Sequence, residues 1–271
     1  MPELESKGLL PETAKHSTAL RDFLDRLSNA PASALLLDYD GTLAPFQLDR
    51  DRAYPYPEVV PILERIVQCN RTRVVVISGR PVAEVRTLLG QLKHLEMWGA
   101  HGLERQSRDG TYHQSPKPRE AVELLSQARE WVIEAGLVPL TEVKPGGIAI
   151  HWRGMPEADA ERVERRLLEG WSVLAGRPQL KLLRFESGIE LRVARPDKGD
   201  AVASIIDDSP RGTEIAYLGD DLTDEDAFRR LNGRGLTVLV REEARESAAQ
   251  VWLRPPAELI EFLERWLDRI S

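Results

Sequence analysis

Cysteine is almost absent from this sequence: Cys69 is the only thiol among 271 residues. That excludes an intramolecular disulfide and a zinc centre built on clustered cysteines. No stretch approaches the roughly 20 apolar residues of a membrane-spanning helix. The N-terminal MPELESKGLL lacks the basic region and apolar core of a secretory leader. A net positive charge is also lacking: 44 acids against 37 Lys and Arg give a formal net charge of -7, and no overall field toward nucleic acid or an anionic membrane surface. There is no internal repeat and no low-complexity tract. The expectation is a cytoplasmic, monomeric protein acting on a small molecule, with neither nucleic acid nor membrane as partner.

What is present is a series of short apolar runs, each ending abruptly in polar residues. Ala34 to Leu37 run into Asp38-Tyr39-Asp40-Gly41-Thr42, Val74 to Ile77 into Ser78-Gly79-Arg80-Pro81, and Ile215 to Leu218 into Gly219-Asp220-Asp221-Leu222-Thr223-Asp224. A third early segment ends in Trp98-Gly99-Ala100-His101-Gly102, and Thr237 to Val240 form one more run. Continuous apolar runs of this length are strands buried on both faces of a parallel sheet. Helices are expected over 13–28, through Leu63 and Val67, over 82–89, over 201–206 and at the C-terminus, where Leu259, Leu263, Trp266 and Ile270 keep helical spacing. Alternating strands and helices predict an α/β fold with a doubly wound, Rossmann-like parallel sheet, whose ligands gather at the carboxyl ends of the strands.

From Arg108 the texture changes. The polar segment 108–118 reads as a linker, followed by a helix over 120–135, an alternating strand over 147–152, a helix over 156–170, and strands over 180–185 and 189–193. None of these strands ends in acids, so the segment reads as an inserted α/β cap. The predicted division is a catalytic core of 1–108 and 195–271 with a cap at 109–194, hinged near Arg108 and Ala194.

Asp38 and Asp40 leave one side of a strand, and two like charges so close call for a compensating cation or proton. Taken with Ser78, Arg80, Lys198, Asp220, Asp221 and Asp224, the strand-end groups suit Mg2+ beside a phosphoryl group, because Mg2+ takes hard oxygen ligands and phosphoryl transfer needs mainly positioning and charge stabilisation. Individually each has an ordinary reading. Ser78 serves as a turn residue, Lys198 as a solvated lysine, His101 as a satisfied turn histidine, and Arg80 with Glu104 as a structural ion pair. Thr223 and Asp226 read as a capping box for the next helix.

DYDGT, ISGR, KG and GDDLTDEDAF, in that order, resemble the four motifs of the haloacid dehalogenase superfamily of phosphatases, and LLLDYDGTLAP, GAHGLE and YLGDDLTDEDAF resemble trehalose-6-phosphate phosphatases within it. The resemblance implies a nucleophilic Asp38 that forms an aspartyl-phosphate, and Asp40 as proton donor to the leaving sugar oxygen and then base toward water. It implies Mg2+ at Asp38, the Asp40 carbonyl and Asp220, with Asp221 and Asp224 in or near the shell. The phosphate is cradled by Thr42, Ser78, Gly79 and Lys198. Arg80 and, in the cap, Glu142, Lys144, Arg153 and Glu190 are implied for the substrate. Trp152 stands where the family often has Tyr. The reactions left open are hydrolysis of trehalose 6-phosphate, hydrolysis of a related sugar phosphate such as sucrose phosphate or a mannosyl or glucosylglycerol phosphate, and non-catalytic sugar-phosphate binding.

Overall fold

The computed structural model describes residues 10–47, 49–90, 92, 94–185 and 187–271; residues 1–9, on which the reading of the N-terminus rests, lie outside this set. Two short elements, β1 (Glu12–Thr13) and α1 (Thr18–Asn29), lead into β2 (Ser33–Leu37), followed in alternation by α2 (Val59–Gln68), β3 (Thr72–Ile77), α3 (Val82–Leu89) and β4 (Glu96–Gly99). β5 (Glu104–Gln106) and β6 (Tyr112–Gln114) add an antiparallel hairpin to the same sheet. A second unit follows, made of α4 (Arg119–Glu134), β7 (Thr141–Lys144), β8 (Gly147–His151), α5 (Glu157–Ala175), β9 (Leu180–Phe185) and β10 (Gly188–Val193). The chain returns through α6 (Lys198–Asp208), β11 (Glu214–Gly219), α7 (Glu225–Leu231), β12 (Leu236–Val240), β13 (Val251–Leu253) and α8 (Ala257–Ile270).

The larger sheet has the order β1-β13-β12-β11-β2-β3-β4-β5-β6, parallel from β1 to β4. From β2 the chain winds one way and from β11 the other, so the adjacent pair β2 and β11 forms the topological switch point. The central strands β2, β3, β11 and β12 are largely apolar because both of their faces are covered. Leu35, Leu37, Val74, Val76 and Leu218 pack beneath α1, α2, α3 and α8. Leu36, Val75, Ile77, Ile215 and Tyr217 pack beneath α6 and α7. The doubly wound α/β core is as the sequence predicts.

The smaller sheet, ordered β7-β8-β10-β9, is antiparallel and has two unlike faces. Ile148, Ile150, Ile189 and Leu191 turn toward α4 and α5 and build a separate core around Trp171. Glu142, Ala149, Glu190 and Leu183 stand in register across the other face, with Lys144 and Gly147 one row along.

Several expectations shift. α1 begins at Thr18 rather than 13 because Ser17 caps it, its Oγ accepting from Leu20 N at 3.2 Å. The 108–118 stretch contains β6, which pairs with β5, and its polar residues are exposed as befits an edge strand. β1, β7 and β13 were not foreseen either. Among the described residues no helix is long and apolar enough to cross a membrane.

α8 ties the helical layer to the sheet. Trp266 is fully buried, stacks obliquely on Phe23 and Phe262, and donates from Nε1 to Thr72 Oγ1 at 3.1 Å. Trp266→Ala is expected to lower the unfolding free energy by about 3–5 kcal/mol, read from the denaturant midpoint; a loss below about 1 kcal/mol would remove α8 from the cooperative core.

Candidate active site

β2 and β11 deliver acids side by side at the switch point. Asp38 follows β2, and its N–H donates to Leu218 O at 2.9 Å, so the ladder to β11 continues one residue beyond the strand. Gly41 then turns the chain away at a φ of +81°, and a Cβ there would lie 2.1 Å from Asp220 Oδ2. No other residue type lets the turn approach Asp220 so closely.

Lys198, the first residue of α6, reaches between two carboxylates. Its Nζ donates to Asp38 Oδ1 at 2.6 Å and to Asp224 Oδ1 at 2.7 Å. Asp224 also accepts from Tyr217 Oη at 2.6 Å and, through Oδ2, from the backbone N–H groups of Asp220 and Asp221 at 3.0 Å. The cap of this turn is thus set by Asp221 and Asp224, and the Thr223 and Asp226 capping box is corrected. Asp226 instead pairs with Lys181 of β9 at 2.7 Å.

Asp38, Asp220 and Asp224 are all buried, with ligand atoms within 4.8 Å of one another. Burial and the Asp224 charge push Asp38 up to about 7, against the pull of Lys198. Burial and Asp38 raise Asp220 well above the usual carboxylate range. Burial alone would lower Lys198, but Asp224 and Asp38 outweigh it and hold the ammonium above its ordinary value. Both Asp220 oxygens are buried and, among the described residues, accept no hydrogen bond. One ammonium against three buried carboxylates, one of them with both oxygens free, fits a hard divalent cation. Asp224, by contrast, has both oxygens committed to protein donors.

Asp40 takes a different partner. Arg80 grips it with two parallel bonds, Nε to Oδ2 and Nη2 to Oδ1, each 2.6 Å. The Arg80 and Glu104 pairing is therefore corrected: Glu104 accepts from Val82 N at 2.7 Å, at the start of α3. Ser78 is buried, its Oγ accepting from Arg80 N at 3.1 Å and shaping the turn that aims Arg80. Thr42 is also buried, and its Oγ1 has no partner among the described residues.

Above these groups lies the polar face of the smaller sheet, and the two enclose a cleft of about 210 Å³. Asp38, Asp40, Gly79, Arg80, Lys144, Arg153, Glu190, Lys198, Asp220 and Asp221 line it; Thr42, Ser78, Glu142 and Asp224 stand behind the lining. Lys144 Nζ donates to buried Glu190 at 3.2 Å. Burial would raise the Glu190 carboxyl, but Lys144, with Arg192, prevails and holds it low. Glu142 accepts from His151 Nε2 at 2.8 Å and pairs with Arg50. Arg153 donates to the Gln47 carbonyl.

Sequence reasoning missed Arg50, Phe46 and Gln47, which reach the cleft from the loop after β2, and His151, Leu183 and Phe185 from the cap. A Pro-punctuated loop carries no periodic signal that would single out Arg50. His101, read as a satisfied turn histidine, does sit in a turn, at a φ of 57°, yet neither ring nitrogen has a hydrogen-bond partner among the described residues. Its Nε2 is 3.5 Å from Glu190, too long for a strong bond. Burial, with Arg192, lowers it to about 4, so the ring is neutral at pH 7.

Residues 36–253 match the family model described as Trehalose-phosphatase. A trehalose-phosphate phosphatase of Mycobacterium marinum is 33% identical over 277 aligned positions, covering 95% of this chain and 68% of the relative. One of Mycobacterium tuberculosis is 33% identical over 246, covering 86% and 60%. In three dimensions the chain superposes on the C-terminal domain of C. albicans trehalose-6-phosphate phosphatase with a TM-score of 0.78, at 20% identity and with 97% and 99% of the two chains covered. A haloacid dehalogenase-like hydrolase of B. subtilis gives 0.61 at 17% identity, with 86% and 99% covered.

The neutral His101, facing Glu190, Arg192 and Lys198, has a pH signature. An unfolded histidine takes up a proton below about pH 6.5, whereas folded His101 refuses it until about pH 4. Stability is expected to fall between those values, by up to about 3 kcal/mol from this residue. His101→Asn should flatten the fall, leaving the share of His151, which burial and Lys144 likewise lower to about 4. Unfolding curves from pH 4 to 7 with the same slope in both proteins would show that His101 does not stay neutral.

Proposed function

The chain belongs to the trehalose-phosphatase family of the haloacid dehalogenase superfamily, and from that membership we propose that it is a Mg2+-dependent phosphatase hydrolysing trehalose 6-phosphate to trehalose and inorganic phosphate. The observation that carries the reading is Asp38 at the mouth of the switch point, held by Lys198 beside an Asp220 whose side chain has no partner among the described residues, and facing the polar side of the cap sheet.

Asp38 attacks phosphorus, the bond from phosphorus to the sugar oxygen breaks, and an aspartyl-phosphate forms. Asp40 gives the leaving oxygen its proton, then takes one from the water that attacks phosphorus and releases phosphate. Protonation removes the Asp40 charge and leaves its hydroxyl oxygen a weaker acceptor, so the Arg80 grip loosens at that step. Lys198 stays on Asp38 throughout, orienting the attacking oxygen and lending charge to the transferring group. Ser78 retains a hydroxyl proton, since its Oγ is used only as an acceptor from Arg80 N among the described residues, and with Thr42 and Gly79 it completes the phosphate cradle. Asp38, Asp220 and the Asp40 carbonyl would hold Mg2+, which when bound offsets phosphate charge; Asp221 and Asp224 fix the turn that presents Asp220. Lys144, Arg153 and Glu190 meet the sugar hydroxyls, with Glu142 behind them. Buried polar groups of this kind reject analogues that leave them unpaired.

The cleft lining carries five cations, Arg50, Arg80, Lys144, Arg153 and Lys198, against five carboxylates, Asp38, Asp40, Glu190, Asp220 and Asp221. A phosphate dianion arriving with a divalent cation leaves that balance unchanged, whereas either one alone unbalances it.

Phosphate release from a panel of phosphorylated sugars tests the reading. Trehalose 6-phosphate should be turned over fastest, with chelator abolishing release, and Asp38→Asn should lose at least about 1,000-fold in kcat with an unchanged melting temperature. Faster turnover of sucrose phosphate would overturn the substrate, and retained activity in the variant would remove Asp38 as nucleophile.

A further inference from the structure

Arg50, in the loop after β2, touches both halves of the cleft. The loop is stapled at its far end, where Tyr39 Oη donates to Ala53 O at 2.7 Å and Tyr56 N to Leu43 O at 3.0 Å. Arg50 opens a short turn on the free side of those staples. Its guanidinium pairs with Glu142 of the cap strand β7 and, at 3.4 Å, with Glu84 of α3. Its own carbonyl accepts from Arg80 Nη1 at 3.0 Å. The other two Arg80 nitrogens are those that grip Asp40. A continuous path therefore runs from Glu142, through the Arg50 side chain, its carbonyl and the Arg80 guanidinium, to Asp40.

Glu84 alone is a weak tether for Arg50. Its side chain is 40% exposed, and Arg80 lies 3.6 Å from the same oxygen, so two guanidiniums share one solvated carboxylate. Glu142 is the more protected partner, 23% exposed and fixed from behind by His151.

Resting on the reading above, we propose that Arg50 is a positioning residue that makes the orientation of Asp40 depend on the sugar-binding face of the cap. With Glu142 engaged, Arg50 places its carbonyl where Arg80 needs an acceptor, and Asp40 is held at the leaving oxygen. With Glu142 disengaged, the Arg50 turn relaxes, Arg80 loses that acceptor, and Asp40 is no longer aimed. Proton donation is then matched to substrates that settle the cap.

The test compares two substrates on the full Mg2+-loaded chain: trehalose 6-phosphate and p-nitrophenyl phosphate, which has no sugar to engage the cap. Arg50→Ala should lower kcat on trehalose 6-phosphate by about 10- to 100-fold while KM changes by less than about 3-fold, and the ratio of the two kcat values should fall. Arg50→Lys, which keeps a charge toward Glu142 and is the variant less disruptive to folding, should recover part of the loss. Combining Arg50→Ala with Glu142→Gln should be no slower than the worse single variant, because both break one path. Equal losses on both substrates, a rise in KM alone, or losses that multiply in the double variant would overturn the coupling. A wild-type chain that releases phosphate from no sugar phosphate overturns the substrate reading and the coupling together, so the two failures are distinct.

Discussion

A single buried ammonium shared by two carboxylates governs the architecture of this site. Lys198 starts α6, where the helix dipole disfavours a cation, and it is almost wholly removed from water. Either condition would be expensive for a lone lysine. Asp38 and Asp224 offset both, but only if β2, β11 and α6 converge within hydrogen-bond reach. The convergence is secured locally. Asp197 and Asp200 close a reciprocal cap on α6 that fixes where Lys198 points, and Asp224 is pinned by two backbone N–H groups and Tyr217. The cluster still holds more carboxylate than ammonium, a surplus that a cation would offset and that a structural salt bridge does not need.

The cap solves a different problem, presenting charge over a small area without losing its own core. Period-two alternation sends Ile189 and Leu191 inward and Glu190 outward from one strand. Gly147 and Ala149 beside it are small, so Glu190 and Lys144 can lie low over the sheet; a Cβ on Gly147 would come within 2.9 Å of Glu190 Oε1. The strand that looks merely amphipathic in sequence therefore supplies the polar floor of the cap's half of the cleft.

What was legible in the sequence follows from range. Buried parallel strands write continuous apolar runs, and their ends write Asp38, Ser78 and Asp220, so core and chemistry could be read without coordinates. β7 is four residues long and half exposed, and β6 is an exposed edge; neither carries a periodic signature long enough to stand out. The capping register failed for another reason. Thr223 with Asp226 and Asp221 with Asp224 both have cap spacing, and the choice was made by Lys198 and Tyr217, which arrive from elsewhere in the fold. Pairings such as Arg80 with Asp40, or Arg50 with Glu142, are set by how loops meet across the cleft, and sequence spacing holds no trace of them.

The two aspartates that follow β2, Asp38 and Asp40, show how far environment overrides identity. Asp38 is 4% exposed and is answered by one ammonium and an adjoining carboxylate, so burial pushes it up to about 7 unless further positive charge arrives. Asp40, with 29% of its side chain exposed, has both oxygens taken by a rigid guanidinium fork. The first is therefore sensitive to a cation, and the second to whatever moves Arg80. One strand end thus gives its two aspartates different surroundings by burial depth and by partner, and the Arg80 that holds Asp40 also reaches, through Nη1 and Arg50, out of the core toward the cap.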